Sequence, residues 1–423
     1  MVPLAFGVPE ADPYAPLRIP NFRRYVLAVV AMTLATMIQG TIVGWQMYNL
    51  THDPLALGLI GLAEAIPFIA TSLYAGHVVD VHDRRRVAII ALCVFCLSAA
   101  TLLVMPHVMG QDSPLLPKAI FGVIVVSGFA RSFLQPARQA LGAEVVPREL
   151  FTRSVPWRSG AWQLAAVIGP ALGGLLYAAG GITLAYSADA LLTTCAIVLM
   201  VRIDRAPPPL RPATEPILER LVSGVRYVFQ EKVVLGALTL DMFSVLFGGA
   251  VALLPIFAAE ILHVGATGLG LLRSATAIGA VVTSAILTHA KPFRRSGQVL
   301  LRAVVIYGLA MIAFGLATNF IVAVLALIVS GAADMVSVFI RSTLLTTRTP
   351  PEMLGRVMAV NGIFVGSSNE IGAFESGVTA DWFGAVPSVI LGGTLTLVVV
   401  AVTAWRNPVL RNLRGLDPQA EPD

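Results

Sequence analysis

The sequence predicts an all-α integral membrane protein in which twelve transmembrane helices form two pseudo-symmetric six-helix bundles. Three observations lead to this fold class. Only 13% of the residues are charged and 57% are hydrophobic, whereas a soluble domain contains about 25% charged residues. The apolar residues occur in runs of about twenty, which is the length that a helix needs to cross the bilayer core. The two halves of the chain also resemble each other.

Each half contains six apolar runs. Those of the first half lie at residues 24–50, 57–79, 87–107, 117–141, 157–179 and 182–201. Those of the second half lie at residues 233–261, 267–289, 300–318, 320–346, 357–382 and 387–405. They predict five regions: an N-terminal segment (1–23), a first bundle (24–201), a linker (202–232), a second bundle (233–406) and a C-terminal tail (407–423).

Lysine and arginine are concentrated at one end of the predicted bundles. Of the 29 basic residues, Lys118 lies in a connection at the other end, Arg131 and Arg273 lie within apolar runs, and nearly all the rest share one end. Because short basic segments stay on the cytoplasmic side of a membrane, we expect a multi-pass protein of the bacterial inner membrane with both termini cytoplasmic. This placement explains the pI near 9.3 without a nucleic-acid partner.

The linker combines a stiff segment with a helical one. Residues 206–212 are rich in proline, which predicts an extended connection between the bundles. Apolar residues then recur at helical spacing, with charged residues on the other face: Ile217, Leu218, Leu221, Val225 and Val228. This pattern predicts an amphipathic helix that lies on the inner membrane surface.

The two halves align with each other as an internal repeat. A shift of 203 residues aligns Gly169 with Gly372, Gly174 with Gly377 and Arg131 with Asp334. Earlier in the halves, a shift of 210 residues aligns Gly58 with Gly268. Duplicated six-helix units are typical of secondary transporters, whose substrate site lies between the two units.

The loop after the second run carries a glycine, an aspartate and two arginines at fixed spacing: Gly76, Asp80, Arg84 and Arg85. It resembles the Gly-x-x-x-Asp-x-x-x-Arg-Arg signature of the major facilitator superfamily, although Val81 and Asp83 depart from the common pattern. The resemblance implies a latch that helps to hold the halves together on the cytoplasmic side. The alternative is that these charges only set the topology.

The fifth run carries a second signature, formed by Gly169, Pro170, Gly173 and Gly174. It resembles the Gly-Pro-x-x-Gly-Gly motif of antiporters in the same superfamily. Proline removes a backbone hydrogen bond and bends the helix, and glycine lets a neighbouring helix approach closely. The resemblance implies export, whereas the alternative is ordinary packing of a glycine-rich helix.

Further stretches at residues 128–141, 146–150, 331–345 and 368–377 resemble the bacterial branch that contains enterobactin exporters and drug effluxers. This resemblance covers essentially the whole chain. It implies a proton-coupled exporter of small amphipathic molecules, such as siderophores or drugs, that works by alternating access. The alternative is a proton symporter or facilitator for uptake, and a membrane enzyme is a remote third reading.

Ionisable side chains inside the predicted spans are costly to bury and mark functional positions. Four acids are candidates for proton coupling: Asp241, Glu370, Glu375 and Glu64. Candidate charge partners are Arg131, Asp334 and Arg341. Each group can instead form a structural ion pair, such as Asp334 with Arg341. Glu370 and Glu375 lie about 140° apart on an ideal helix, so we do not expect them to share a partner.

Amides and an aromatic ring on the predicted spans suit an amphipathic substrate that contains rings. The candidates for the substrate cavity are Gln39, Gln163, Phe243, Asn361 and Asn369. The sequence contains no Gly-x-Ser-x-Gly, His-Glu-x-x-His or nucleotide-binding loop. We therefore expect no catalytic residue, cofactor or metal site, and a monomer whose partners are a small-molecule substrate, protons and the lipid bilayer.

Overall fold

A computed structural model describes residues 12–204, 217–290 and 293–415. These residues are almost entirely helical and include no strand, which confirms the predicted all-α class. The proline-rich residues 206–212 lie outside the described part, as do the two chain ends and the side chains of residues 217–221.

Twelve labelled helices follow the chain. The first half contains α1 (Pro20–Thr51), α2 (Pro54–Val81), α3 (Arg84–Met109), α4 (Leu116–Glu144) and α5 (Phe151–Val201). The short α6 (Ile217–Gln230) follows the linker. The second half contains α7 (Lys232–Gly248), α8 (Gly265–His289), α9 (Ser296–Gly315), α10 (Phe320–Arg348), α11 (Pro351–Phe383) and α12 (Ala385–Arg406).

Helix α5 contains two of the predicted spans. Gly180 and Gly181 have non-helical backbone angles, and Gly181 has a φ of 63°, a region that favours glycine because it has no Cβ. The break separates α5a (151–179) from α5b (182–201). With α6 set aside, the described residues therefore form twelve crossing segments. Ten continuous helical stretches of the described chain are long and apolar enough to cross a membrane: α5a and α5b belong to one of them, and α11 is not among them.

The path between α7 and α8 is irregular. Regular helix ends at Gly248, and the chain continues as a 3-10 turn (Ala250–Leu253), a short α-helical turn (Leu254–Ile256) and a π-helical turn (Phe257–Ile261). The sequence predicts one span over 233–261, and the structure has a helical path over these residues that is not a regular α-helix throughout. Gly248 and Gly249 explain the break, since glycine weakens a helix interior.

Side-chain caps fix several helix starts. Asp53 accepts a hydrogen bond from the backbone of Leu55 at 2.8 Å at the start of α2. Asp83 accepts from the backbone of Arg85 and Arg86 at 3.0 and 3.2 Å at the start of α3. Such caps satisfy backbone donors that a helix leaves unpaired. Asp83, which departs from the superfamily pattern, therefore has a local structural role.

The two halves touch through glycines. We call the end where α2 meets α3 the basic end, and the end where α1 meets α2 the opposite end. Near the opposite end, a Cβ on Gly58 of α2 would lie 2.9 Å from the Cα of Gly377 on α11. A Cβ on Gly174 of α5a would lie 3.2 Å from the Cα of Gly270 on α8. Backbone packs on backbone in both places, so the halves are closed against each other near this end.

These contacts agree with the internal repeat. Gly174 and Gly377 are equivalent under the shift of 203 residues, and each packs against the other half. Gly58 is equivalent to Gly268, and Gly174 approaches Ala266 and Gly270 on either side of that position. The α2–α11 and α5a–α8 contacts are therefore related by the pseudo-symmetry of the fold.

Helix α6 has two apolar faces. On one face, Val228 is buried and the Tyr227 hydroxyl donates to the carbonyl of Arg348 at 2.6 Å, which holds α6 against the second half. On the other face, Val222, Val225 and Phe229 are exposed. The predicted single apolar face is thus divided, because Val228 packs on the second half whereas Val225, one turn away, stays exposed. The exposed face is the part that suits a membrane surface.

Candidate functional site

Arg131 binds two carboxylates that come from different halves of the chain. Its Nη1 atom contacts Oε1 of Glu64 and lies 3.0 Å from Oε1 of Glu370. Glu64 lies on α2, Arg131 near the middle of α4, and Glu370 on α11. The Phe68 ring lies 5.6 Å from the guanidinium carbon and adds a cation–π contact. We call these three charged residues the Arg131 triad.

Two glycines bring the triad together. A Cβ on Gly128 of α4 would lie 2.7 Å from both the Glu64 carbonyl oxygen and the Pro67 ring. A Cβ on Gly61 of α2 would lie 2.9 Å from the Glu370 carbonyl oxygen. A larger residue at either position would push α2 away from α4 or from α11. The close approach of the three helices is therefore what places both carboxylates on one cation.

The triad remains partly open to solvent. The side chains of Arg131, Glu64 and Glu370 are 43%, 30% and 18% exposed. Partial exposure lets water reach the carboxylates, as proton exchange requires, and it also makes the ion pairs weaker than fully buried ones. Glu375 lies further along α11 and is half-buried, and the described partners of Arg131 do not include it.

Arg341 pairs with Asp241, not with Asp334. The guanidinium of Arg341 on α10 contacts the carboxylate of Asp241 on α7, and both side chains are only 6% exposed. The suggested pairing of Asp334 with Arg341 is therefore wrong. The two residues share α10, whereas Asp241 lies on the neighbouring helix and faces the guanidinium. This ion pair belongs to one half and does not cross to the other.

A serine from the second half enters the proline bend of the first half. The backbone N–H of Ala171 donates to Oγ of Ser274 at 3.1 Å, and the same hydroxyl donates to the carbonyl of Val167 at 2.6 Å. Pro170 lies between these two residues and has no N–H of its own. Ser274 thus links α8 to the backbone of α5a beside the Gly-Pro-x-x-Gly-Gly motif.

Ser274 and the Arg131 triad occupy related positions. The shift of 210 residues relates Glu64 to Ser274, and the shift of 203 residues relates Val167 to Glu370. One contact between the halves is thus charged and its symmetry mate is neutral. We did not predict Ser274 as a site residue from the sequence, although the repeat offset from Glu64 points to it.

The other glycines of the motif pack inside the first half. A Cβ on Gly169 would lie 3.3 Å from Cγ of Met37, and one on Gly173 would lie 3.2 Å from the Cα of Ile38. Both partners are on α1, whereas Gly174 faces α8. The motif therefore packs α5a against α1 of the same half and against α8 of the other half.

The arginines after α2 contact the first half. Arg84 lies 3.5 Å from Glu144 at the end of α4. Arg85 donates from Nε to the carbonyl of Met200 at 2.9 Å and also contacts the carbonyl of Val201, so it satisfies the last carbonyls of α5b. Gly76 borders open space. These contacts hold α3 to α4 and α5b, and the latch role that includes Asp80 stays a prediction.

The predicted cavity residues are dispersed. Gln39 is buried within the first half near Asp189, and Gln163 donates to Ser159 on its own helix at 3.0 Å. Phe243 stacks on Phe247 with ring centroids 6.1 Å apart. On α11, Asn369 is exposed beside Glu370, and Oδ1 of Asn361 is buried without a partner in the described part of the chain. Their role in substrate binding stays a prediction.

Comparisons with known proteins agree with this architecture. A family model described as transmembrane secretion effector matches residues 11–420. An enterobactin exporter from Citrobacter koseri is 27% identical over 408 residues, which cover 92% of this chain and 94% of that protein. An enterobactin exporter from Shigella flexneri is 27% identical over 406 residues, which cover 92% of this chain and 93% of that protein.

Among solved structures, a D-xylose–proton symporter has a TM-score of 0.71 at 14% identity and covers 93% of this chain and 99% of its own. A POT family transporter in complex with 5-aminolevulinic acid has a TM-score of 0.71 at 13% identity, and the match covers 92% of this chain and 96% of that transporter. At such low identity these structures support the fold alone, and the fold that they share with this chain is the major facilitator fold.

Proposed function

Because this chain belongs to the transmembrane secretion effector family of major facilitator transporters, we propose that it exports small amphipathic molecules in exchange for protons. Its family and its relatives are transporters, so it is a multi-pass membrane transporter and not an enzyme. The relatives named enterobactin exporters favour siderophores or similar ring-containing compounds as substrates. We further propose that it acts as a monomer.

The Arg131 triad is the observation that carries this proposal. Alternating access requires the halves to separate at one end while they close at the other. Glu370 holds α11 to Arg131 across the boundary between the halves. A proton on Glu370 would remove its negative charge and weaken this hold, so proton binding would favour separation of α2 and α4 from α11. Coupling then follows from a difference in proton affinity between two conformations.

Sidedness follows from the distribution of basic residues. We assign the basic end to the cytoplasm, because short basic segments are retained there. Near the opposite end the halves pack glycine against glycine, so substrate would load from the cytoplasmic side in this conformation. The resemblance of the Gly-Pro-x-x-Gly-Gly stretch to the antiporter motif supports export as the direction. A bacterial inner membrane with both termini cytoplasmic is the corresponding location.

Proton coupling predicts that substrate will dissipate an imposed pH gradient. Inside-out vesicles with a pH-sensitive dye would receive catecholate siderophores, macrolides and hydrophobic dyes in turn. We expect a wild-type signal that Glu370→Gln and Glu64→Gln reduce by at least about tenfold, since neither variant keeps a titratable partner for Arg131 at that position. Glu375→Gln is the matched control on the same helix and should retain the signal.

Two results would contradict the proposal. A normal proton signal in Glu370→Gln would mean that another carboxylate carries the proton, and Glu375 and Asp241 would be the next candidates. Substrate accumulation in right-side-out cells, rising with expression and without proton release, would mean that the protein is an importer or a facilitator.

The neutral contact at Ser274 predicts a different response. Ser274→Ala removes a hydrogen bond between the halves worth about 1 kcal/mol, so we expect transport rates to change about fivefold. Because no titratable group takes part, the pH profile of transport should keep its midpoint. Ser330→Ala is the control, since Ser330 is equally buried and donates to Leu327 of its own helix at 2.8 Å. A shifted midpoint, or rates that match the control, would contradict this role.

A further inference from the structure

Arg273 reaches from one half of the protein to the other. It lies on α8, and its Nη1 atom donates to Oγ1 of Thr41 on α1 at 3.4 Å. Its guanidinium lies against two glycines one helical turn apart. A Cβ on Gly40 would lie 3.6 Å from Nη1, and a Cβ on Gly44 would lie 3.9 Å from Nη2. The planar group thus rests on a flat stretch of α1 backbone.

Arg273 differs from Arg131 and Arg341, two other arginines of the spans. Arg131 contacts Glu64 and Glu370, and Arg341 contacts Asp241. Within the described part of the chain, Arg273 has a neutral hydroxyl as its hydrogen-bond partner and no carboxylate within ion-pair distance. Its Nε atom is buried without a partner. Glu64 and Glu370 are already bound to Arg131.

This arrangement leaves a strong anion-binding group unused. Guanidinium carries five N–H donors in a planar fork that matches the two oxygens of an acidic group. Arg273 is half-buried, and only one of these donors has a described partner. Within a membrane span a cation without an anion is costly. An acidic group that entered between α1 and α8 would supply both the missing charge and the missing acceptors.

We propose that Arg273 recognises an anionic group, a carboxylate or a phenolate oxygen, on the transported molecule. This inference rests on the proposed function and names the substrate class. The anion would take the place of Thr41 on the guanidinium, and the apolar remainder of the molecule would extend into the space between the halves. Because Arg273 belongs to one half and Thr41 to the other, binding of the anion is linked to the separation of α1 from α8.

Direct binding to the purified full chain in lipid nanodiscs tests the proposal. The probes are 1-naphthoate and its neutral amide, 1-naphthamide, which share one apolar ring system and differ in charge. Calorimetric titration at a fixed pH, corrected with empty nanodiscs, should show naphthoate binding at least about tenfold more tightly than the amide. Arg273→Gln should bring the ratio to about one, and Arg273→Lys should retain part of it because the positive charge remains.

Arg302→Gln is the matched control, because Arg302 is an exposed arginine on α9, and its ratio should equal that of the wild type. An unchanged preference for naphthoate in Arg273→Gln, or no preference in the wild type, would overturn the proposal.

This measurement is separate from the test of proton coupling. It uses no pH gradient, so an anion preference that depends on Arg273 would stand even if no substrate moved protons. Conversely, coupled transport of neutral compounds, together with a naphthoate preference that Arg273→Gln leaves unchanged, would overturn the anion site and leave export intact.

Discussion

Replacing Arg131 with glutamine is expected to abolish coupled transport and to move the protein out of the conformation described here. Arg131 is the cation that Glu64 and Glu370 share across the two halves. Without it, two carboxylates on facing helices would repel each other, and the α2–α11 contact would weaken. Loss of a fully buried partner typically costs about 3–5 kcal/mol. Because this triad is partly exposed, we expect a smaller loss of stability than that. The rate of coupled transport should nevertheless fall by more than about tenfold.

Distances between spin labels would report the change in conformation. Labels on cysteines placed at His52 and Trp382, which are exposed at the opposite end of the halves, would be measured in a background without native cysteines. We expect longer distances in Arg131→Gln than in the wild type. Adding Glu370→Gln should remove the repulsion and restore the shorter distances while transport stays lost. Unchanged distances in the single variant would contradict a role of the triad in holding the halves together.

Replacing Asp241 with asparagine is expected to destabilise the protein by about 3–5 kcal/mol, the usual cost of leaving one member of a buried ion pair alone. Asp241 and Arg341 are each 6% exposed, so water cannot compensate the remaining charge. A lower thermal unfolding temperature and poor recovery of monodisperse protein in detergent would show the effect. Asp334→Asn, on the same helix as Arg341, is the control and should lower stability less.

A double variant separates structure from coupling at this position. Combining Asp241→Asn with Arg341→Met removes both charges, and such replacement of a buried pair is often nearly neutral. We therefore expect most of the lost stability to return. If Asp241→Asn were instead stable but unable to couple protons to transport, Asp241 would be a coupling carboxylate, as the sequence also permits, and its ion pair with Arg341 would have a second role.

Local features of the sequence determined the class, the crossings and the repeat of this protein. Length and hydropathy of apolar runs depend on neighbouring residues, so the predicted spans agree with the helices, including the break beside Gly180 and Gly181. The same local reasoning identified the Gly-Pro-x-x-Gly-Gly stretch and aligned Gly58, Gly174 and Gly377 within the repeat, but it did not predict that these glycines pack between the halves. It failed where backbone geometry is irregular, as in the path from Gly248 to Ile261, because hydropathy does not distinguish α-helical from 3-10 or π-helical turns.

Only the tertiary structure decided which charges meet. Arg131 has one partner 67 residues away and another 239 residues away, and the sequence did not distinguish these pairings from others such as Asp334 with Arg341. The reason is physical: helix packing through Gly61 and Gly128 brings the two carboxylates to one cation. The neutral link at Ser274 depends likewise on the approach of α8 to α5a. Residue type predicted that charges within the spans would matter, and their partners followed from how the helices pack.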